Sequence, residues 1–83
     1  MQIELGSPAR RFLKKCEREL YGRLMTKIRL LAENPFPKEV VRVEGVKEKI
    51  FRVRVGDYRI QYAVFYDKNI VLITDVDKRP RAY

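Results

Sequence analysis

The sequence contains no histidine and no tryptophan, one cysteine, and only four glycines in 83 residues. The missing histidine removes the usual general acid/base at neutral pH and the commonest metal ligand. With Cys16 as the sole thiol, an internal disulfide is excluded and a zinc site is not expected. No G-x-x-x-x-G-K or G-x-G-x-x-G is present, so phosphate-loop and dinucleotide readings fall away. No apolar run approaches the roughly 20 residues of a membrane span, and residues 1–5 carry no signal-peptide core. A reducing, cytoplasmic setting is the expectation. Any catalysis must come from arginine, lysine, tyrosine and carboxylates, without metal or cofactor.

What the chain does have is positive charge. Nineteen Lys and Arg against eleven Asp and Glu give a formal net charge of +8. That excess favours a polyanionic or acidic partner. With 46% hydrophobic residues and 11% aromatics, the chain is expected to fold as one domain spanning residues 1–83.

The stretch around which the rest is arranged is Ile50-Phe51-Arg52-Val53-Arg54-Val55-Gly56-Asp57-Tyr58-Arg59-Ile60-Gln61-Tyr62. Two alternating runs joined by Gly-Asp are the short-range signal of a β-hairpin. If Gly56 and Asp57 form the turn, Val55 faces Tyr58, and Phe51, Val53 and Val55 share an apolar face with Tyr58, Ile60 and Tyr62. The other face carries Arg52, Arg54, Arg59 and Gln61, with Arg54 directly opposite Arg59. Opposed like charges cost a sheet some tenths of a kcal/mol. Such a face is either solvated or meets an anion.

Ahead of the hairpin, Gln2 to Leu5 reads as an edge strand. Gly6-Ser7-Pro8 reads as a helix start, with Ser7 as cap and Pro8 in the first turn. Ala9, Phe12, Leu13 and Cys16 recur at helical spacing, with Arg10, Arg11, Lys14 and Lys15 on the other side. Cys16 therefore reads as a core residue rather than a reactive thiol. A second apolar set follows at Leu20, Leu24, Met25, Ile28, Leu31 and Ala32. Periodicity alone permits one long helix; the small size of the domain favours two antiparallel helices parting near Glu17-Arg18. Asn34-Pro35-Phe36-Pro37 ends the helical region.

Residues 40–43 form a short strand candidate, and the hairpin's second strand is expected to reach about Tyr66. Asp67-Lys68-Asn69 is a turn by composition. Ile70-Val71-Leu72-Ile73 then reads as a strand buried on both faces, running into Thr74-Asp75-Val76-Asp77. The tail Lys78-Arg79-Pro80-Arg81-Ala82-Tyr83 is extended at Pro80, and its cations would join Arg52, Arg54 and Arg59. The order predicts an α+β domain: an N-terminal strand, a helical hairpin, then an antiparallel β-meander with the helices on one face of the sheet.

Phe12-Leu13-Lys14-Lys15, Ala32-Glu33-Asn34-Pro35, the Phe51 to Ile60 segment and the closing Lys78 to Tyr83 together resemble the RelE/ParE toxin superfamily, in its RelE branch. The likeness runs the length of the chain; the segment around Val53-Arg54-Val55-Gly56-Asp57-Tyr58-Arg59 carries most of it. It implies a RelE-like fold and the toxin of a type II toxin–antitoxin pair. Such a toxin enters the ribosomal A site, cleaves messenger RNA and is held inactive by an acidic, helical, RelB-like antitoxin. On matching positions, the resemblance assigns catalysis to Arg52, Arg54, Arg59, Arg79 and Tyr83, with Lys49, Lys78 and Arg81 as further RNA-binding cations. Arginine rarely releases a proton, so Lys49 and Lys78 are also candidates for the acid that RelE-type hairpins supply from lysines where Arg52 and Arg54 stand. Two alternatives stay open: a ParE-like relative that acts by binding a protein such as DNA gyrase, and an RNA-binding relative without chemistry. For the latter, Tyr58, Tyr62 and Tyr66 would be the stacking platform.

Overall fold

In a computed structural model of the chain, residues 1–45 and 47–78 are described. β1 (Gln2–Leu5) leads directly into α1 (Ser7–Lys15). The residue between them, Gly6, is the helix N-cap, and Ser7 already lies inside the helix. No side-chain cap bond forms, so the expected Ser7 cap is displaced by one residue. Gly6 is pinned instead by the sheet: its N–H donates to the Ile73 carbonyl at 2.8 Å. A Cβ at Gly6 would lie 3.1 Å from that same oxygen. A side chain here would force strand and helix apart by a few tenths of an ångström.

Cys16 and Glu17 are extended and separate α1 from α2 (Arg18–Glu33), one residue ahead of the Glu17-Arg18 parting expected, so Cys16 caps α1 rather than lying within it. Each helix buries one stripe. Ala9 and Leu13 come from α1, and Leu20, Leu24, Ile28 and Leu31 come from α2. These are the i, i+3 and i+4 positions of an amphipathic helix. After Asn34, whose side-chain oxygen accepts the Phe36 N–H at 3.2 Å, the chain crosses to β2 (Val41–Arg42), β3 (Phe51–Val55), β4 (Tyr58–Phe65) and β5 (Ile70–Lys78).

These form one five-stranded sheet in the order β1-β5-β4-β3-β2. β1 runs parallel to β5, and the remaining neighbours are antiparallel. Both helices pack on one face, against a core that includes Val53, Ile60, Tyr62, Val71, Ile73 and Val76. The α+β expectation holds, and β1 is an edge strand as anticipated. β5, however, is not buried on both sides. Val71 and Ile73 are fully buried while Ile70 and Leu72 are half-exposed, because the helices cover only one face.

The hairpin forms in the expected register. Val55 pairs with Tyr58, Arg54 with Arg59 and Val53 with Ile60. Gly56 has φ +60 and takes the first central position of the turn. That placement is typical of the two-residue loops whose twist matches the flanking strands.

Tyr62 anchors this core to the loop after α2. Its ring is fully buried, and its hydroxyl donates to the Pro35 carbonyl at 2.6 Å. Burial, seconded by the charge of Glu39, pushes the phenol's pKa well up. A folded-state pKa above the unfolded value near 10 contributes stability that is complete below that pH. It is lost as the pH climbs further, because the unfolded chain alone releases the proton. Tyr62→Phe is expected to cost about 1 kcal/mol at neutral pH and to flatten the alkaline arm of the stability curve. Urea melts of both proteins between pH 8 and 11 would show it; parallel curves for the two would refute it.

Candidate nucleic-acid interface

The hairpin register places Arg52, Arg54 and Arg59 on the sheet face that does not hold the helical core. Val53 and Ile60, between them, are buried on the other. Arg52 and Arg59 are half-buried and Arg54 is exposed. β2 pairs only with Phe51 and Arg52. Beyond it, among the described residues, residues 53–55 have a strand neighbour on one side alone. There Arg54 also borders a groove shared with Arg23, Lys27 and Leu30 of α2.

The arginine at the centre of this face has a partner that sequence reasoning missed. Arg59 Nε donates to Asp77 Oδ1 at 2.8 Å and Nη2 donates to Oδ2 at 3.2 Å. The two residues face each other across β4 and β5. This is a two-point ion pair, the planar fork of arginine matched to a carboxylate. The Arg59 and Asp77 side chains keep 24% and 37% exposure, so solvent screening holds its net worth below about 1 kcal/mol. Arg59 thus stands between a like charge on β3 and an opposite charge on β5, and its guanidinium reaches the β5 side.

The pairing of β4 with β5 explains why Asp77 is there. The register shifts between Gln61 and Tyr62: Tyr62 faces Ile73, but Gln61 faces Asp75. Thr74 is the extra residue, a β-bulge. Without it Val76 would face Arg59. With it Val76 turns into the core, where it is buried, and Asp77 turns to the arginines. The one hint in the sequence was the Asp-Val-Asp alternation after the apolar run, whose phase depends on the bulge.

The same shift separates Lys78 from the arginines. Lys78 pairs with Tyr58 and lines a groove of about 630 Å³ on the helix side, together with Arg11, Phe12, Lys15, Leu20 and Val76. The expectation that it joins the arginine face is corrected. Lys49 is exposed just before β3. Arg79, Arg81 and Tyr83 lie outside the described residues.

The tyrosine platform is not assembled. Tyr62 is buried, and Tyr58 is half-buried with its ring edge-on to Phe12 at 5.8 Å between centroids. Tyr66 alone is well exposed. Partial burial pushes the Cys16 thiol pKa up, and the nearby Glu17 adds to the rise. Its Sγ contacts the Leu13 carbonyl at 3.5 Å, so it suits a packing role rather than a nucleophilic one. Among the described residues no group of three or more His, Cys, Asp or Glu could hold a metal ion, and no helix is long and apolar enough to cross a membrane.

With this geometry in view, comparison with known proteins is informative. Residues 3–83 match the family model described as the ParE toxin of the type II toxin–antitoxin system parDE. A Methanocaldococcus jannaschii protein named as toxin RelE1 is 38% identical over 58 residues, which is 68% of this chain and 64% of that protein. The chain thus spans a little under two thirds of that relative's length. Among solved structures, the archaeal RelE–RelB complex from Pyrococcus horikoshii superposes with a TM-score of 0.81 at 26% identity, covering 98% of this chain and 97% of that one. The isolated Escherichia coli RelE toxin gives 0.82 at 19% identity, covering 98% and 86%; at that identity the likeness shows the fold. Two helices on a five-stranded sheet that superpose on these toxins, together with the family match, complete the assignment: the chain belongs to the ParE toxin family of type II toxin–antitoxin systems and has the RelE fold.

Proposed function

We propose that this protein is a ribosome-dependent endoribonuclease that arrests translation by cutting messenger RNA in the A site. The observation that supports this best is the alignment of Arg52, Arg54 and Arg59 on one sheet face by the hairpin register. Arg52 and Arg54 along one strand with Arg59 on the next make a cationic patch that suits an RNA backbone.

The chemistry is attack of a ribose 2′-oxygen on the adjacent phosphorus. The 2′-hydroxyl proton passes to a base, the bond from phosphorus to the 5′-oxygen breaks, and that oxygen takes a proton from an acid. The products are a 2′,3′-cyclic phosphate and a free 5′-hydroxyl. Arg59, with Arg79, stabilises the charge that builds on the phosphoryl oxygens, and Arg52 and Arg54 hold the message. Tyr83 is the base. Lys49 is the better candidate for the acid, since Lys78 lies on the helix side. Arg81 adds a further phosphate contact.

The partner in this reading is an acidic, helical antitoxin, and the Pyrococcus horikoshii RelE that this chain resembles is found in complex with RelB. The groove between α1 and β5 is apolar at Phe12, Leu20 and Val76, and its three cations, Arg11, Lys15 and Lys78, outnumber its two carboxylates, Glu17 and Asp75. That composition fits an amphipathic helix with acidic flanks.

Primer extension on messages from expressing cells tests the reading. New ends inside translated regions, lost when initiation is blocked, are expected. Growth arrest with intact messages and a DNA-damage response would instead favour a ParE-like toxin acting on a gyrase.

A further inference from the structure

We propose that Asp77 is a positioning residue for Arg59, a carboxylate that aims the guanidinium at the reacting phosphate before the message arrives. The inference rests on the nuclease reading above and adds a residue to it.

A carboxylate is an unfavourable neighbour for a polyanion. On a chain of net charge +8, whose arginines line one face of a hairpin, it weakens attraction to RNA at short range. A role in binding the message is therefore the one role Asp77 does not fit. Its geometry fits another. Arginine carries about 2 kcal/mol of side-chain rotamer entropy, and Arg59 stands directly across from Arg54, which repels it. Both effects act against a single orientation of its guanidinium. The paired contacts of 2.8 and 3.2 Å from Nε and Nη2 to the two Asp77 oxygens fix both its position and its plane. Fixing donors in advance matters most where charge develops during reaction, because no reorganisation is then needed in the transition state.

The backbone is shaped for this contact. The extra residue at Thr74 turns Asp77, and not Val76, to the arginine face opposite Arg59. The same shift brings Val76 into the core, so the pairing is tied to the packing of the sheet and does not depend on a loose surface encounter. Around Arg59 the charged groups of the flanking strands are Arg54 on β3 and Asp77 on β5. Next along the ladder, Gln61 faces Asp75.

Two effects of removing the carboxylate then run in opposite directions. Orientation is lost, which lowers kcat; a negative charge leaves the RNA-binding face, which leaves KM unchanged or lowers it. A merely structural role for Asp77 would move neither in this pattern.

The test uses the full-length protein on ribosomes programmed with a defined message. Asp77→Asn is expected to lower kcat about tenfold without raising KM, and to keep its thermal midpoint within a few degrees of wild type. In an Arg59→Ala background the same substitution should have no further effect, because its target is gone. Nitrogen-15 NMR of the Arg59 Nε–H should show a slowly exchanging resonance in wild type that is lost in the variant. Wild-type kcat in Asp77→Asn, with or without tighter binding, overturns the positioning role. So does a further tenfold loss in the double variant. No cleavage by wild type under these conditions would instead bring down the nuclease reading itself, and this inference with it.

Discussion

On the nuclease reading proposed above, Arg59→Ala is expected to reduce message cleavage by about 10²- to 10³-fold while leaving the protein folded. The magnitude follows from the removal of one preorganised donor group at a developing oxyanion, which costs roughly 3–4 kcal/mol in comparable sites. The absence of a stability effect follows from the neighbours. Alanine gives up the Asp77 pair, worth less than about 1 kcal/mol at its exposure, and also relieves the opposition of Arg54, worth some tenths. Neither change is large beside the roughly 4–12 kcal/mol of a domain of this size. Single-turnover cleavage on programmed ribosomes, beside a thermal melt, separates the readings. An Arg59→Ala protein that cuts at the wild-type rate would remove Arg59 from the chemistry, whatever the fold does.

The largest effect on stability is expected at Leu24. Its side chain is fully buried, in the stripe that α2 lays against the sheet, four residues from both Leu20 and Ile28. Truncation to alanine removes the transfer free energy of the side chain and leaves a cavity, together about 2–5 kcal/mol. A domain of this size has roughly 4–12 kcal/mol in total, so the variant should sit close to its unfolding threshold. Urea denaturation should show a midpoint reduced by a third or more with little change in slope. A loss under 1 kcal/mol would mean that α2 is not held by this stripe.

The hairpin was legible because its information is local. Alternation set the two faces, Gly-Asp set the loop, and counting outward from Val55 and Tyr58 fixed each pair. The division at Cys16 and Glu17 was legible for a different reason: one uninterrupted helix would have outrun the rest of the domain. What could not be read was the partner of Arg59. Asp77 is eighteen residues away, and its face depends on a single inserted residue opposite the Gln61 and Tyr62 step. Composition near Thr74 gives no sign of that insertion. One residue of phase decides whether Asp77 or Val76 meets the arginines, and it moves Lys78 to the far side. Ser7 failed as a cap for a related reason, since Gly6 was already held by a strand almost seventy positions further on.

The last strand lies between the first strand and β4, and this has a consequence for how the chain acquires activity. Until β5 has been synthesised, β1 has no neighbour to dock on, and the arginine face lacks the carboxylate that steadies it. A ladder closed over so wide a sequence separation forms late and slowly relative to the local hairpin. On the nuclease reading proposed above, a growing chain would remain harmless to the ribosome making it until β5 was free to insert, giving an antitoxin time to meet a partner not yet armed.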